Sequence, residues 1–279
     1  MKKTLSLIVA VYNRARYLEF ILAALRRQTL REFEVIIADD GSGPEIGEVI
    51  ERARPGLFFP VRHLHQPDEG FRKNVILNKA IAAAETGYLV FIDGDCVPHH
   101  EFLADHSSSR QDRAVLCGRR VNFSRQITTG LALDDAASGA IERLSVPLLL
   151  DGLMARSSNL EDAIRIPNPF IRRVLHRNKA RILGCNFSVE RGLLEEINGF
   201  NEEYRAPGVG EDTDIAFRLG LAGAAFVTLR YLAILYHLYH PPTSVGAENL
   251  MIYDRVVRSG NPVCSRGLRQ PSGEPLHLE

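Results

Sequence analysis

The stretch GYLVFIDGDCVP, residues 87–98, places an apolar run directly before two aspartates. The run Tyr88–Ile92 predicts a short buried strand. Asp93 and Asp95 follow it, and Gly94 between them allows the tight turn that brings both carboxylates toward one point. Two carboxylates repel each other unless a cation or a proton lies between them. The stretch therefore predicts a strand that ends at a divalent metal site, with an ordinary turn that carries two solvated acids as the alternative.

Before this stretch, apolar runs alternate with helical patterns. The three preceding runs that predict strands are Leu5–Val11, Glu34–Ala38 and Val61–His65. This alternation predicts an α/β fold, with a Rossmann-like, mostly parallel sheet flanked by helices. Polar residues follow three of the strands, at Asn13–Arg14, Asp39–Asp40 and Asp93–Asp95. Because ligands bind at the carboxyl ends of parallel strands, these residues predict one nucleotide-sized site.

The second half of the chain is less regular. Ala114–Phe123 predicts one further strand, and residues 124–180 lose the alternation, which indicates a partly helical insert. Order returns with a strand and helix in 181–200, a helix in 210–223, and strands at Ala225–Leu229 and Leu232–Tyr236. No strong pattern follows Pro241. We therefore expect one domain over residues 1–240, with the insert at about 124–180, and a C-terminal tail over 241–279.

Charge and cysteine spacing restrict the class of protein. The chain has 34 basic and 34 acidic residues, which argues against a broad nucleic-acid-binding surface. Its four cysteines form no CxxC pair, which predicts reduced thiols in a cytoplasmic protein. The apolar run at Leu5–Val11 follows two lysines but is too short for a secretory signal, and no run reaches the ~18 residues of a membrane span. Membrane association is therefore expected only as peripheral, at the inner face of the membrane.

Two later motifs add candidate chemistry. GEDTD, residues 210–214, carries three acids at a predicted helix start, where they could cap the helix or supply a general base. His237 and His240 lie in YHLYHP after an apolar run. A single histidine is more often a core residue than a ligand, but Mn²⁺ accepts imidazole together with carboxylates. We expect one of the two histidines to be a metal ligand.

The order of these motifs resembles that of a known family. LIVAVYNRARYL, VIIADDGS, GYLVFIDGDCVP and GEDTDIAFRL are similar, in that order, to family 2 glycosyltransferases of the GT-A fold. Residues 184–219 also resemble the matching region of β-1,4-galactosyltransferases and chondroitin-polymerase-like enzymes. The resemblance covers roughly residues 4–123 and 181–240. It implies an inverting transfer of a sugar from a UDP-sugar to a hydroxyl of a glycan or lipid-linked saccharide, with Mn²⁺ or Mg²⁺.

The resemblance also implies roles for individual residues. Ala10, Tyr12 and Arg14 would line the uridine, Asp39 would meet the base or ribose, and Phe71 and Lys73 would contact the donor. Asp93, Gly94 and Asp95 form the DxD motif, with Asp95 as the direct metal ligand, Asp93 beside it, and His237 or His240 completing the set. Gly184 would approach the donor sugar, Asp212 would be the general base, and Glu211 would meet the acceptor. Ala10 departs from the usual proline, and the insert has no counterpart, so acceptor recognition is expected in the insert and tail.

Three alternatives remain at this stage. VFIDGDCV also fits a haloacid-dehalogenase-type phosphatase with Asp93 as nucleophile, although that motif usually follows the first strand and here follows the fourth. A sugar nucleotidyltransferase would carry a glycine-rich loop after the first strand, which VYNRARYL lacks. A non-catalytic nucleotide-sugar-binding subunit would bind UDP without turnover.

Overall fold

The computed structural model describes residues 3–175, 180–208, 210–241 and 247–269. The strands of these residues are β1 (Leu5–Val11), β2 (Phe33–Asp39), β3 (Val61–His65), β4 (Tyr88–Asp93), β5 (Cys96–Pro98), β6 (Ala114–Cys117), β7 (Arg119–Asn122), β8 (Phe187–Glu190), β9 (Ala225–Thr228) and β10 (Ile234–His237). The helices are α1 (Ala15–Leu25), α2 (Glu45–Ala53), α3 (Lys73–Ala83), α4 (Phe102–Ser108), α5 (Arg125–Gly130), α6 (Leu133–Ser138), α7 (Val146–Leu153), α8 (Pro169–Leu175), α9 (Arg191–Glu196), α10 (Asp212–Leu221) and α11 (Ala247–Ser259).

Within the described residues the strands form two sheets. The larger has the order β3-β2-β1-β4-β8-β6-β9, and the smaller has the order β5-β10-β7. In the larger sheet β1 pairs in parallel with β2 and β4, whereas β8 is antiparallel to β4 and β6. The predicted α/β fold with a mostly parallel sheet is therefore confirmed.

The larger sheet is buried on both faces. On β1, Leu7 and Val9 join the core cluster that includes α1 and α2, while Ile8 joins the opposite cluster with α3 and α9. Alternate side chains of a strand point to opposite faces, so a continuous apolar run is what a sheet covered by helices on both sides requires. This packing fixes the carboxyl ends of β1, β2 and β4 at one edge.

The prediction of one strand over Ala114–Phe123 is wrong, because the chain changes sheets at Gly118. β6 pairs with β8 and β9 in the larger sheet, and β7 pairs with β10 in the smaller one. The Gly118 amide donates to the Asn186 carbonyl at 2.9 Å, and a Cβ at Gly118 would lie about 2.1 Å from the buried Asn186 side chain. Only glycine permits this approach, so the crossing takes place there.

The insert is partly helical as predicted, and the region after Pro241 is more ordered than its sequence pattern indicates. α5 to α8 lie in the insert, and α11 begins at Ala247. Cys264 and Leu268 donate backbone hydrogen bonds to the carbonyls of Ile197 and Asn198. The described part of this C-terminal region is thus attached to the turn after α9, although the domain boundary at residue 240 itself stays a prediction.

A buried ion pair fixes the start of α10. Arg218 is fully buried, and its Nε donates to the Asp214 carboxylate at 2.7 Å. The same guanidinium donates to the carbonyls of Ile197 and Gly199, at 2.8 and 2.9 Å. The third acid of GEDTD is therefore structural, since it holds α10 against the turn after α9.

We expect Arg218→Met to lower the free energy of unfolding by about 3–5 kcal/mol, because it leaves Asp214 as an unpaired buried charge. Urea unfolding followed by circular dichroism measures this. The control is Arg255→Met, which removes an exposed partner of Glu203 and should cost less than about 1 kcal/mol. Equal effects of the two substitutions would contradict the structural role of Arg218.

Candidate active site

The turn at Asp93–Gly94–Asp95 joins the two sheets. The Gly94 amide donates to the Ala10 carbonyl at 2.6 Å, and a Cβ at Gly94 would lie 2.8 Å from that oxygen. This contact between β1 and the end of β4 requires glycine. Beyond the turn, β5 runs antiparallel to β10, with Cys96 opposite His237, so Asp95 lies beside β10.

Asp95, His237 and His240 converge. His237 Nε2 lies 3.6 Å from Asp95 Oδ1, and His240 Nε2 lies 3.3 Å from Asp95 Oδ2. One ligand atom from each residue lies within 4.8 Å of the others. The prediction left open which histidine accompanies Asp95, and the structure brings both to it. Asp93 is not a member of this group of three; its carboxylate accepts from Lys73 Nζ at 2.7 Å, and its expected role beside Asp95 stays a prediction.

The cluster fits a divalent cation. Ligands of an octahedral ion at about 2.1 Å lie about 3 Å from their neighbours, close to the spacings here. Burial lowers the pKa of His237 to about 4, which leaves its imidazole neutral. His240 Nδ1 lies 2.8 Å from the Pro241 carbonyl, and the hydrogen bond with Asp95 raises the pKa of His240, so metal binding would release a proton from this ring. One carboxylate and two imidazoles suit Mn²⁺. Their role as ligands stays a prediction.

A second group of metal-type side chains has a structural role. His99, His100 and Glu142 also lie close together. The Glu142 carboxylate accepts from Arg27 and from the His100 amide, and His99 Nδ1 accepts from the Glu101 amide at 3.1 Å. The Glu142 carboxylate is therefore already engaged, and this group attaches the insert to Arg27 and to the chain after β5.

Lys73 connects the end of β4 to the start of α10. Its Nζ donates to Asp93 Oδ1 at 2.7 Å and to Glu211 Oε1 at 3.1 Å. Burial acts against the charge of Lys73, but the two carboxylates hold its pKa well above the ordinary value. Lys73 therefore remains a cation. Burial raises the pKa of Glu211, and Glu211 Oε2 is buried without a hydrogen-bond partner in the described residues.

Asp212, the first residue of α10, faces Gly184. Its Oδ2 accepts a long hydrogen bond of 3.4 Å from the Gly184 amide. Asp212 and Gly184 line a small cavity of about 10 Å³, together with Lys73, Asp93 and Glu211. The structure thus brings the predicted base next to the glycine that is predicted to approach the donor sugar, although the two lie 28 residues apart.

Most of the predicted site residues line one open cleft of about 720 Å³. These residues are Ala10, Tyr12, Arg14, Phe71, Lys73, Asp93, Gly94, Asp95, Glu211, His237 and His240. Asp40, which the sequence placed at the strand ends without an individual role, and Arg120, which it did not single out, also line the cleft. Asp40 follows a predicted strand and could have been chosen from DDGS, whereas no local pattern marks Arg120.

Asp39 is a predicted site residue that does not line this cleft. It is fully buried, and its carboxylate accepts from the Ser42 amide at 2.9 Å and contacts His63 Nε2 at 2.9 Å. These hydrogen bonds outweigh burial and hold the pKa of Asp39 below its ordinary value. The neighbouring Asp40 lines the cleft, and the expected contact of Asp39 with the base or ribose stays a prediction.

The family model of glycosyl transferase family 2 matches residues 6–197, and that of the N-terminal domain of galactosyltransferase matches residues 174–241. The chain belongs to glycosyl transferase family 2. It is 26% identical to Escherichia coli chondroitin synthase over 88% of this chain and 35% of that protein. It is 28% identical to Pasteurella multocida hyaluronan synthase over 88% of this chain and 25% of that protein. The chain thus spans about a third or less of these curated relatives.

Solved structures agree in fold. S. aureus TarS with UDP matches at a TM-score of 0.60 and 19% identity, over 92% of this chain and 65% of that one. The mannosyltransferase PcManGT from Pyrobaculum calidifontis, in complex with GDP-Man and Mn²⁺, matches at a TM-score of 0.56 and 16% identity, over 91% and 61%. The GT-A fold and the glycosyltransferase class are therefore confirmed, and the phosphatase and nucleotidyltransferase interpretations are set aside.

We expect Asp95→Asn to weaken Mn²⁺ binding in the presence of UDP at least about tenfold, because the cluster loses its one carboxylate. Titration followed by the electron paramagnetic resonance signal of free Mn²⁺ measures this. The matched control is His100→Gln, in the second histidine group. Weaker Mn²⁺ binding in His100→Gln, with normal binding in Asp95→Asn, would place the metal at the group of His99, His100 and Glu142 and would contradict the prediction.

Proposed function

We propose that this glycosyltransferase is metal-dependent and inverting, and that it transfers a sugar from a UDP-sugar to a hydroxyl of a glycan or lipid-linked saccharide. The observation that carries the proposal is the meeting of Asp95 and both histidines with Glu211 and Lys73 around one cleft. Similarity to chondroitin synthase and to TarS, solved with UDP and with UDP-GlcNAc, supports a UDP-sugar donor. PcManGT, solved with Mn²⁺, supports the metal.

Asp95, His237 and His240 would hold the divalent cation, which neutralises negative charge on the departing diphosphate when it is bound. Tyr12 and Arg14 lie in the same cleft, at the end of β1, and would bind the uridine. Lys73 keeps Asp93 and Glu211 in place by its two hydrogen bonds. These residues position the donor so that its anomeric carbon faces α10.

Asp212 is proposed as the general base. It lies at the first turn of α10 and is partly exposed, so an acceptor hydroxyl can reach it. It takes the hydroxyl proton as the acceptor oxygen attacks the anomeric carbon from the side opposite the diphosphate. One displacement of this kind inverts the anomeric configuration. We propose that Glu211, the residue before this base, meets the acceptor; its Oε2 is buried and has no hydrogen-bond partner in the described residues.

Calorimetric titration with UDP and a panel of UDP-sugars, with and without Mn²⁺, tests the donor class. We expect metal-dependent binding of UDP, and the sugar with the highest affinity identifies the donor. An absence of nucleotide binding in the presence of metal would overturn the proposal.

We expect Asp212→Asn to lower kcat about 10²–10⁴-fold, because the amide cannot accept the acceptor proton. UDP affinity should stay within about twofold. Turnover is measured by UDP release with the best donor. Asp254→Asn, an exposed acid on α11, is the control and should keep full activity. Loss of UDP binding in Asp212→Asn would indicate a binding role instead.

We also propose a peripheral position at the inner face of the membrane. No helix in the described parts of the chain is long and apolar enough to span a bilayer. On α8, Phe170 is 74% exposed and Val174 is 57% exposed, next to the exposed Arg173. The sequence has no acid from Ala163 to Val189. An apolar stripe among basic residues is complementary to anionic lipid. The basic residues His176, Arg177 and Lys179, which follow α8 in the sequence, lie outside the described residues.

We expect Phe170→Glu to weaken binding to vesicles that contain anionic lipid by about tenfold, because it removes a large apolar side chain and adds repulsion. Vesicle co-sedimentation measures this. Leu133→Glu, at an exposed position of α6, is the control and should leave binding unchanged. Equal binding of all three proteins would exclude α8 as the contact.

A further inference from the structure

Arg120 on β7 is a cation that the motifs above leave without a role. It lines the same cleft as Asp93, Asp95 and His237, and it is only partly exposed. Its guanidinium donates from Nη1 to Cys185 Sγ at 3.4 Å. A thiol sulfur is a weak acceptor. No carboxylate in the described part of the chain lies within ion-pair distance of Arg120.

The other cations of the cleft have carboxylate partners. Lys73 contacts Asp93 and Glu211, and Arg14 Nη1 lies 3.9 Å from Asp95 Oδ2. Arg120 is held in place by its backbone, since β7 pairs with β10 and Arg120 lies opposite Leu235. The described acceptor of this guanidinium is a weak one, so the planar group can donate further hydrogen bonds into the cleft, where an anion would pair with its charge.

We propose that Arg120 binds an anionic group of the donor, either its diphosphate or the carboxylate of a uronic acid sugar. Each of these anions presents two oxygens side by side, and the planar guanidinium of arginine can donate one hydrogen bond to each oxygen. Arg120 lines the cleft together with Asp95, His237 and His240, and it contacts Cys185, the residue after Gly184, whose amide donates to Asp212. In the proposed function, this is where the diphosphate meets the transferred sugar, so the inference rests on that function and specifies its substrate contacts.

Titration calorimetry in the presence of Mn²⁺ distinguishes the two anions. The ligands are UDP, UDP-N-acetylglucosamine and UDP-glucuronate, each tested on the wild type and on Arg120→Met. If Arg120 binds the diphosphate, the affinity for all three falls at least tenfold. If it binds a uronate, only the affinity for UDP-glucuronate falls. Unchanged affinity for all three would overturn the inference.

The matched control is Arg119→Met, one residue earlier on the same strand. Arg119 Nη1 donates to the carbonyls of Gly118 and Arg181, so its loss should leave the three affinities unchanged. Arg120→Lys keeps the charge but not the fork, and it should restore part of the lost affinity. A thermal melt shows whether Arg120→Met folds. If it does not, Arg120→Lys takes its place in the titrations. Wild-type affinities of Arg120→Lys for all three ligands would then contradict a contact that needs the two-pronged guanidinium. A wild type that binds no nucleotide refutes the proposed function rather than the role of Arg120.

Discussion

The repulsion among carboxylates at one edge of the sheet is the constraint on which the site depends. Asp93 and Glu211 are far apart in the sequence, and Lys73 lies between their carboxylates. Without that cation, one carboxylate would have to take up a proton or turn away, since like charges in a partly buried place raise each other's pKa. Lys73 thereby joins the start of α3, the end of β4 and the start of α10.

The smaller sheet brings β10, which carries His237, next to Asp95. The DxD turn carries the chain out of the larger sheet, and β5 then pairs with β10 in a register that puts Cys96 opposite His237. The Leu238 amide donates to the Asp95 carbonyl at 2.8 Å, which continues this pairing. The position of His237 relative to Asp95 is therefore set by backbone hydrogen bonds. The residue before His240, Tyr239, is held instead by the hydroxyls of Thr128 and Tyr17.

Charge balance explains why the site can be both acidic and stable. Asp214 is not part of the chemistry, because Arg218 neutralises it inside the core. Asp39 is likewise occupied, by Ser42 and His63, while Asp40 is held by Gln66 and by the Arg72 amide. The acids that remain for function are those with incomplete partners at the cleft. Among neighbouring acids in one motif, the set of partners decides which is structural and which is available.

Local sequence alone determined much of this protein. Apolar runs marked the strands of the parallel sheet, and the order of the motifs indicated the family, because burial on both faces and close backbone turns leave residue-level patterns. Tertiary structure decided the rest. The break at Gly118 depends on Asn186, which is distant in sequence, and the Asp39 carboxylate is occupied by His63, which comes from the neighbouring strand β3. Arg120 enters the cleft only because β7 pairs with β10. Pairing between distant strands leaves no periodic signal in either strand, so these features could be read only from the folded chain.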